Sequence, residues 1–206
     1  MDAVNRKENW KVFGIWAFWV GVAFFSIYPT FNWITSQRSA TYALYHSAEL
    51  SIPFIPEFFW VYISMYILFL LPPFLLTTDQ LKSLGKQLVL ATIFSGVIFL
   101  LLPSELGFER VKLDDALYGS LFAQLFTVDL PHNLVPSLHV IFSAIIALSL
   151  SEGIHRPAVR LILWLWLFLL CLSTLLVHQH HLLDVVTGLL IAIAFNRYFE
   201  KGQRHV

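Results

Sequence analysis

From Ala158 to Phe199 the chain is apolar for about 42 residues, roughly twice the length one helix needs to cross the hydrocarbon core of a bilayer. A run that long must turn back on itself. The polar material able to make the turn is His178, Gln179, His180 and His181, with Asp184 following. An ionisable side chain inside a span carries a penalty of roughly 2.5 to 3.5 kcal/mol for Asp at the centre, so such groups face a cavity or a partner and mark function. His180 and Asp184 stand four apart, which places both on one face of a helix start. There a carboxylate can hold an imidazole in one tautomer and support positive charge on it.

A second polar anchor, Pro136, Ser137, Leu138 and His139, precedes another long apolar run and reads as a helix opening. Proline suits the first helical position, and the backbone N–H groups that follow have no intrahelical partner, so they are donors for an anion such as phosphate.

The rest of the chain fits the same environment. Of its 206 residues, 58% are hydrophobic and 13% charged, too apolar a balance for an ordinary soluble domain. The net charge is zero, so nothing argues for a nucleic-acid partner. The single cysteine, Cys171, sits in an apolar run and reads as a small buried hydrophobe.

After a short polar head from Met1 to Asn9, a first span is expected over about Trp10 to Ile34. It is too long for a signal-peptide core and lacks a small-residue cleavage site, so it is expected to stay in the mature protein. A second span covers about Phe54 to Leu76, with Pro72 and Pro73 shortening or kinking it. A third runs from about Leu88 to Leu102, after Asp79, Lys82 and Lys86, and stops at Pro103.

In the acidic connection from Glu105 to Asn133, Leu113, Leu117, Leu121 and Leu125 recur every four residues behind Asp114 and Asp115, the pattern of a short amphipathic helix at the membrane surface. A fourth span runs from about Ser137 to Gly153. A basic turn with His155, Arg156 and Arg160 then leads into the paired fifth and sixth.

The expected fold is therefore all-α: a polytopic membrane protein of six transmembrane helices, with an interfacial amphipathic helix between spans three and four, as one domain over residues 1–206. It shows no internal repeat and no low-complexity segment.

Placing the amino terminus in the cytoplasm puts Arg6, Lys7, Lys11, Lys82, Lys86, Arg156, Arg160, Arg197, Lys201 and Arg204 on that side, against Arg38, Arg110 and Lys112 outside. That positive-inside bias puts both termini in the cytoplasm, and both polar anchors on the outer face of a plasma membrane, in a bacterium the inner one.

The two anchors together carry a family resemblance. Pro136-Ser137-Leu138-His139 resembles the Pro-Ser-Gly-His motif of the type 2 phosphatidic acid phosphatase superfamily. Ser173, His180 and Asp184 match its third motif, a Ser with His seven and Asp eleven residues later. The resemblance covers about the second half of the chain. It implies a lipid phosphatase or phosphotransferase in which His180 attacks phosphorus to give a phosphohistidine, His139 protonates the leaving oxygen and Asp184 orients the nucleophile.

The departures are informative. The family's first motif, a Lys followed by Arg-Pro, is absent; Thr174 stands where an Arg usually follows the third-motif Ser; Leu138 replaces Gly. Similar changes occur in the branch resembling inositol phosphorylceramide synthases. Phosphate charge must then be met by fewer cations, and by position Arg110 and Lys112 are the nearest, with Arg38 behind them. Ser137, Leu138, Ser173 and Thr174 complete the expected phosphate-binding set, although Ser137 and Ser173 can equally serve as cap or helix-packing hydroxyls. His132, His178 and His181 read as interfacial or turn residues.

Two histidines, an orienting carboxylate and a helix amino terminus supply the nucleophile, acid and donors that phosphoryl transfer needs without a metal or other cofactor. The expected reaction is hydrolysis of a phosphate monoester or diphosphate on a membrane lipid at the extracytoplasmic face. The alternative is transfer of a phosphoryl headgroup to an alcohol. The sequence leaves the lipid, the acceptor and the oligomeric state open.

Two other classes use the same residues. Four histidines near one face could bind haem or a transition metal, but the carboxylate and the anion site would then have no role. A Ser137–His180 intramembrane protease lacks the glycines that shape such a site.

Overall fold

The computed structural model describes residues 6–203. Part of the polar head and Arg204 of the cation bias lie outside the described residues. The architecture is all-helical. Among the described residues four helices are long and apolar enough to cross a membrane, the mark of a membrane protein: α1 (Arg6–Ser36), α5 (Thr78–Leu101), α8 (Pro157–Leu176) and α9, apolar over Leu182–Glu200 and extending to Gln203. Shorter apolar helical stretches cover Pro56–Leu70, Ala116–Val128 and Leu138–Gly153.

The second apolar run is broken into α2 (Phe59–Ile63), α3 (Met65–Leu70) and α4 (Pro72–Leu75). Pro72 and Pro73 cannot donate backbone hydrogen bonds, and the chain restarts at them. The earlier break is at Ser64, whose hydroxyl donates to the Val61 carbonyl at 2.6 Å and accepts from the Trp166 indole at 2.8 Å.

The third helix begins about ten residues before the apolar run that announced it. Thr77 and Gln80 form a reciprocal capping box, so α5 carries Asp79, Lys82 and Lys86 in its first turns instead of leaving them in a loop. Asn9 then ties the start of α1 to this corner: its amide donates to the Leu76 carbonyl at 2.8 Å and its oxygen accepts from the Thr78 hydroxyl at 2.7 Å.

The centre of the bundle is α7 (Leu138–Gly153), buried along nearly its whole length and packed against α3, α4, α5, α8 and α9. Ile141, Ile145 and Ile146 are fully enclosed. Lipid is as apolar as these side chains, so close van der Waals fit rather than escape from water holds such helices together. Gly188 of α9 shows how close that fit is. A Cβ there would sit 3.0 Å from the Ser137 carbonyl oxygen and 3.2 Å from Val140.

The helix α6 (Ala116–Val128) is opened by Asp115, whose carboxylate accepts from the N–H groups of Leu117 and Tyr118. Leu113, Leu121 and Leu125 of the leucine stripe turn inward to a small cluster of Phe59, Tyr62, Phe122 and Val177, while Leu117 stays exposed.

Candidate active site

The turn between α8 and α9 is built by backbone bonds. The Ser173 carbonyl accepts from Val177 N–H, and the Thr174 carbonyl accepts from Gln179 and His180 N–H at 3.0 and 3.1 Å. His178 takes a positive φ of 55° where α8 ends, the left-handed position common just past a helix. Asp184, almost fully buried, accepts from His181 N–H at 2.7 Å and pairs with His180 Nδ1 at 3.2 Å through the same oxygen. With Nδ1 donating to the carboxylate, Nε2 carries the ring's lone pair.

The two anchors meet. Ser137 N–H donates to the Asp184 carbonyl at 3.1 Å, and the Ser137 hydroxyl caps α7 by accepting from Val140 N–H. His139, in the first turn of α7, stacks on Tyr62 with centroids 4.1 Å apart, and its buried Nε2 has no hydrogen-bond partner among the described residues.

His139 and His180 line one end of a cavity of about 380 Å³. It continues between α1, α3, α5 and α7 past Phe24, Val20 and Leu88 to Phe13, Trp16 and Leu81 near the opposite end of α1. Almost all of its wall is aromatic or aliphatic. The polar groups at the histidine end are Tyr28, Tyr62 and Asp129, and the Tyr28 hydroxyl donates to the Asp129 carboxylate.

The remaining expected phosphate ligands occupy other places. Ser173 and Thr174 hydroxyls donate back to the carbonyls of Leu170 and Cys171 within α8. Arg110 donates to the carbonyls of Phe126 and Asp129 and lies 4.6 Å over the Phe126 ring; burial lowers its pKa. Lys112 and Arg38 are exposed. Cys171 is buried. Among the described residues no three His, Cys, Asp or Glu side chains form a metal-binding group.

Sequence reasoning missed three contributors. Asp129 faces the cavity, and burial pushes its carboxyl above the ordinary range although Tyr28, His180 and Arg110 pull it down. Tyr62 braces His139. Glu49 accepts from His46 and Leu182 N–H at 2.8 and 2.7 Å, capping α9, and lies 3.5 Å from His181 Nδ1. Burial raises its pKa, but those backbone bonds and His181 outweigh it, leaving a net depression. His181 is sandwiched between Tyr45 and Phe108 and accepts from Gly107 N–H at 3.1 Å. His178 stacks on Phe108 with centroids 3.9 Å apart.

A family model described as PAP2 superfamily matches residues 115–200, which hold both anchors, His139, His180 and Asp184. Over these residues the chain is similar to the PAP2 superfamily. Among solved structures, the crystal structure of Aquifex aeolicus LpxE is similar in fold, with a TM-score of 0.51 and 21% identity over 84% of this chain and 93% of that one. No curated protein sequence matches the chain.

Proposed function

We propose that this protein hydrolyses a phosphate monoester or diphosphate on a membrane lipid through a phosphohistidine on His180. The supporting observation is the apolar cavity that ends at two histidines, one of them paired with a buried carboxylate. A lipid chain lies along the aromatic wall, with its phosphate against His180 and the first turn of α7.

His180 Nε2 attacks phosphorus as the bond to the leaving oxygen breaks, and His139 gives that oxygen its proton. Asp184 supports the charge that develops on His180. His139 then takes a proton from water, which displaces phosphate and frees His180. The backbone N–H groups of Leu138 and His139 and the Ser137 cap serve the equatorial oxygens. Arg110 and Lys112 contribute field rather than direct contact. The apolar wall favours a second reading, in which a lipid alcohol rather than water takes the phosphoryl headgroup. Leu138 and Thr174 keep the inositol phosphorylceramide synthase-like branch as the reading within the superfamily.

In this reading residues 1–206 form one transmembrane domain. The α2–α4 stretch and α7 cross the membrane with the four longer helices, giving six spans. The α6 helix lies at the outer surface, both termini are cytoplasmic and the site is extracytoplasmic in a plasma or bacterial inner membrane. An impermeant thiol reagent should label a cysteine introduced at Asp115 in intact cells; protection there would overturn the orientation.

The reaction itself is tested with purified protein and lipid phosphates, measuring free phosphate against new lipid product. Turnover should survive EDTA. Complete loss restored by one divalent ion would defeat the histidine mechanism.

A further inference from the structure

The head of the cavity poses a charge problem for a phosphate monoester. Such a headgroup is close to a dianion, yet Asp129 lines that end and among the described residues no lysine or arginine lines the cavity. Arg110 spends its guanidinium on the carbonyls of Phe126 and Asp129. A second negative group beside a carboxylate in a sheltered site is disfavoured, whereas a positive group there is attracted twice. Asp129 attracts it by charge, and the aromatic rings of Phe24, Phe25, Tyr28, Tyr62 and Tyr66, which line the same cavity, offer π faces that a cation favours.

A polyol headgroup fits less well. Its several hydroxyls each need a partner when buried, and one Asp129 oxygen is already taken by Tyr28. A substituted ammonium asks only for charge and aromatic surface.

Resting on the second reading above, in which a phosphoryl headgroup passes from one lipid to a lipid alcohol, we infer that Asp129 and the aromatic side chains around it form a headgroup subsite for an ammonium, so that the donor is a zwitterionic phosphodiester lipid of the phosphocholine or phosphoethanolamine class. The phosphate meets His180 and the start of α7, and the ammonium meets Asp129. Asp129 and His180 line the same cavity, so one headgroup can meet both. Burial pushes the Asp129 carboxyl up, and a bound cation restores its ionised form.

The test uses full-length protein in maltoside micelles and isothermal titration calorimetry. Its ligands are hexadecyl phosphocholine, the 3,3-dimethylbutyl phosphodiester that copies its shape without charge, hexadecyl phosphate and a hexadecyl phosphoinositol. The wild type should bind the phosphocholine about tenfold more tightly than its uncharged copy. Asp129→Asn keeps the shape and an acceptor for Tyr28 but removes the charge, and should shrink that preference to about threefold or less.

Equal binding of the two copies, tighter binding of the monoester or inositol ligand, or a preference unchanged in Asp129→Asn overturns the inference. If Asp129→Asn does not fold, the wild-type comparison decides, with Tyr66→Leu expected to weaken the preference severalfold. Turnover of hexadecyl phosphate without an ammonium preference would defeat this subsite alone. If no phosphate amphiphile binds or reacts, the lipid-phosphate reading falls with it.

Discussion

The two histidines of the site are held in opposite ways. His180 is fixed through its own nitrogen by Asp184, and the turn carrying it is clamped from outside by Glu49, Tyr45 and Phe108 acting on its neighbours. His139 stacks on Tyr62, and among the described residues its Nε2 has no hydrogen-bond partner. A nucleophile must arrive in one orientation and tautomer, which a carboxylate enforces. A group that gives a proton to one oxygen and takes one from another works better with its nitrogen uncommitted until substrate arrives.

The sharpest way to break the contrast is to remove each ring. His180→Ala leaves nothing for phosphorus to bond to, so turnover of alkyl and nitrophenyl phosphates, and acid-labile phosphate trapped by rapid quench, should all vanish. Asp184→Asn keeps the shape but loses support for the imidazolium; a drop of about 10³- to 10⁴-fold in turnover is expected, with no preference between leaving groups. His139→Ala should cost roughly 10² to 10⁴-fold on an alkyl phosphate and much less on a nitrophenyl phosphate, whose leaving oxygen needs little protonation. If His139→Ala lost both activities while His180→Ala kept a labelled intermediate, the roles would be reversed.

A smaller effect sharpens the outer clamp. Glu49→Gln should lower stability by about 1 to 3 kcal/mol at neutral pH, since a charged acceptor of two backbone N–H groups is replaced by a neutral one. The Glu49 pKa is depressed on folding, so its stabilisation is fully present above pH 4.5 and is lost as pH falls through the lower folded value. Melting curves of wild type and variant should therefore converge in acid; a gap that widens there would refute the clamp.

The part of the site that reads from sequence is the part made by short spacings. His180 and Asp184 are one helical turn apart, and Ser137 opens α7 by its own hydroxyl, so local chemistry announces both. What joins them does not read that way. Tyr28 and Asp129 are 101 residues apart, and Glu49 and Leu182 are 133 apart. Alone, Tyr28 is one more aromatic in a span, and Asp129 and Glu49 are ordinary loop charges.

The same limit explains the fold. Long apolar runs gave α1, α5, α8 and α9, while the early start of α5 depended on Thr77 and Gln80, a cap stronger than the polarity of Asp79, Lys82 and Lys86. The break at Ser64 depended on Trp166, a partner 102 residues away.

The cavity's wall includes Phe25 of α1, Tyr66 of α3 and Val128 at the end of α6, all three strongly exposed. On the proposed function, an opening framed by such residues would face acyl chains rather than bulk water, and a lipid substrate would enter sideways from the leaflet. The concentration that governs such an enzyme is two-dimensional: its rate follows the mole fraction of substrate in the bilayer or micelle. Adding inert detergent at constant total substrate should slow turnover by surface dilution, whereas doubling the volume of water around the same micelles should leave the rate per enzyme unchanged.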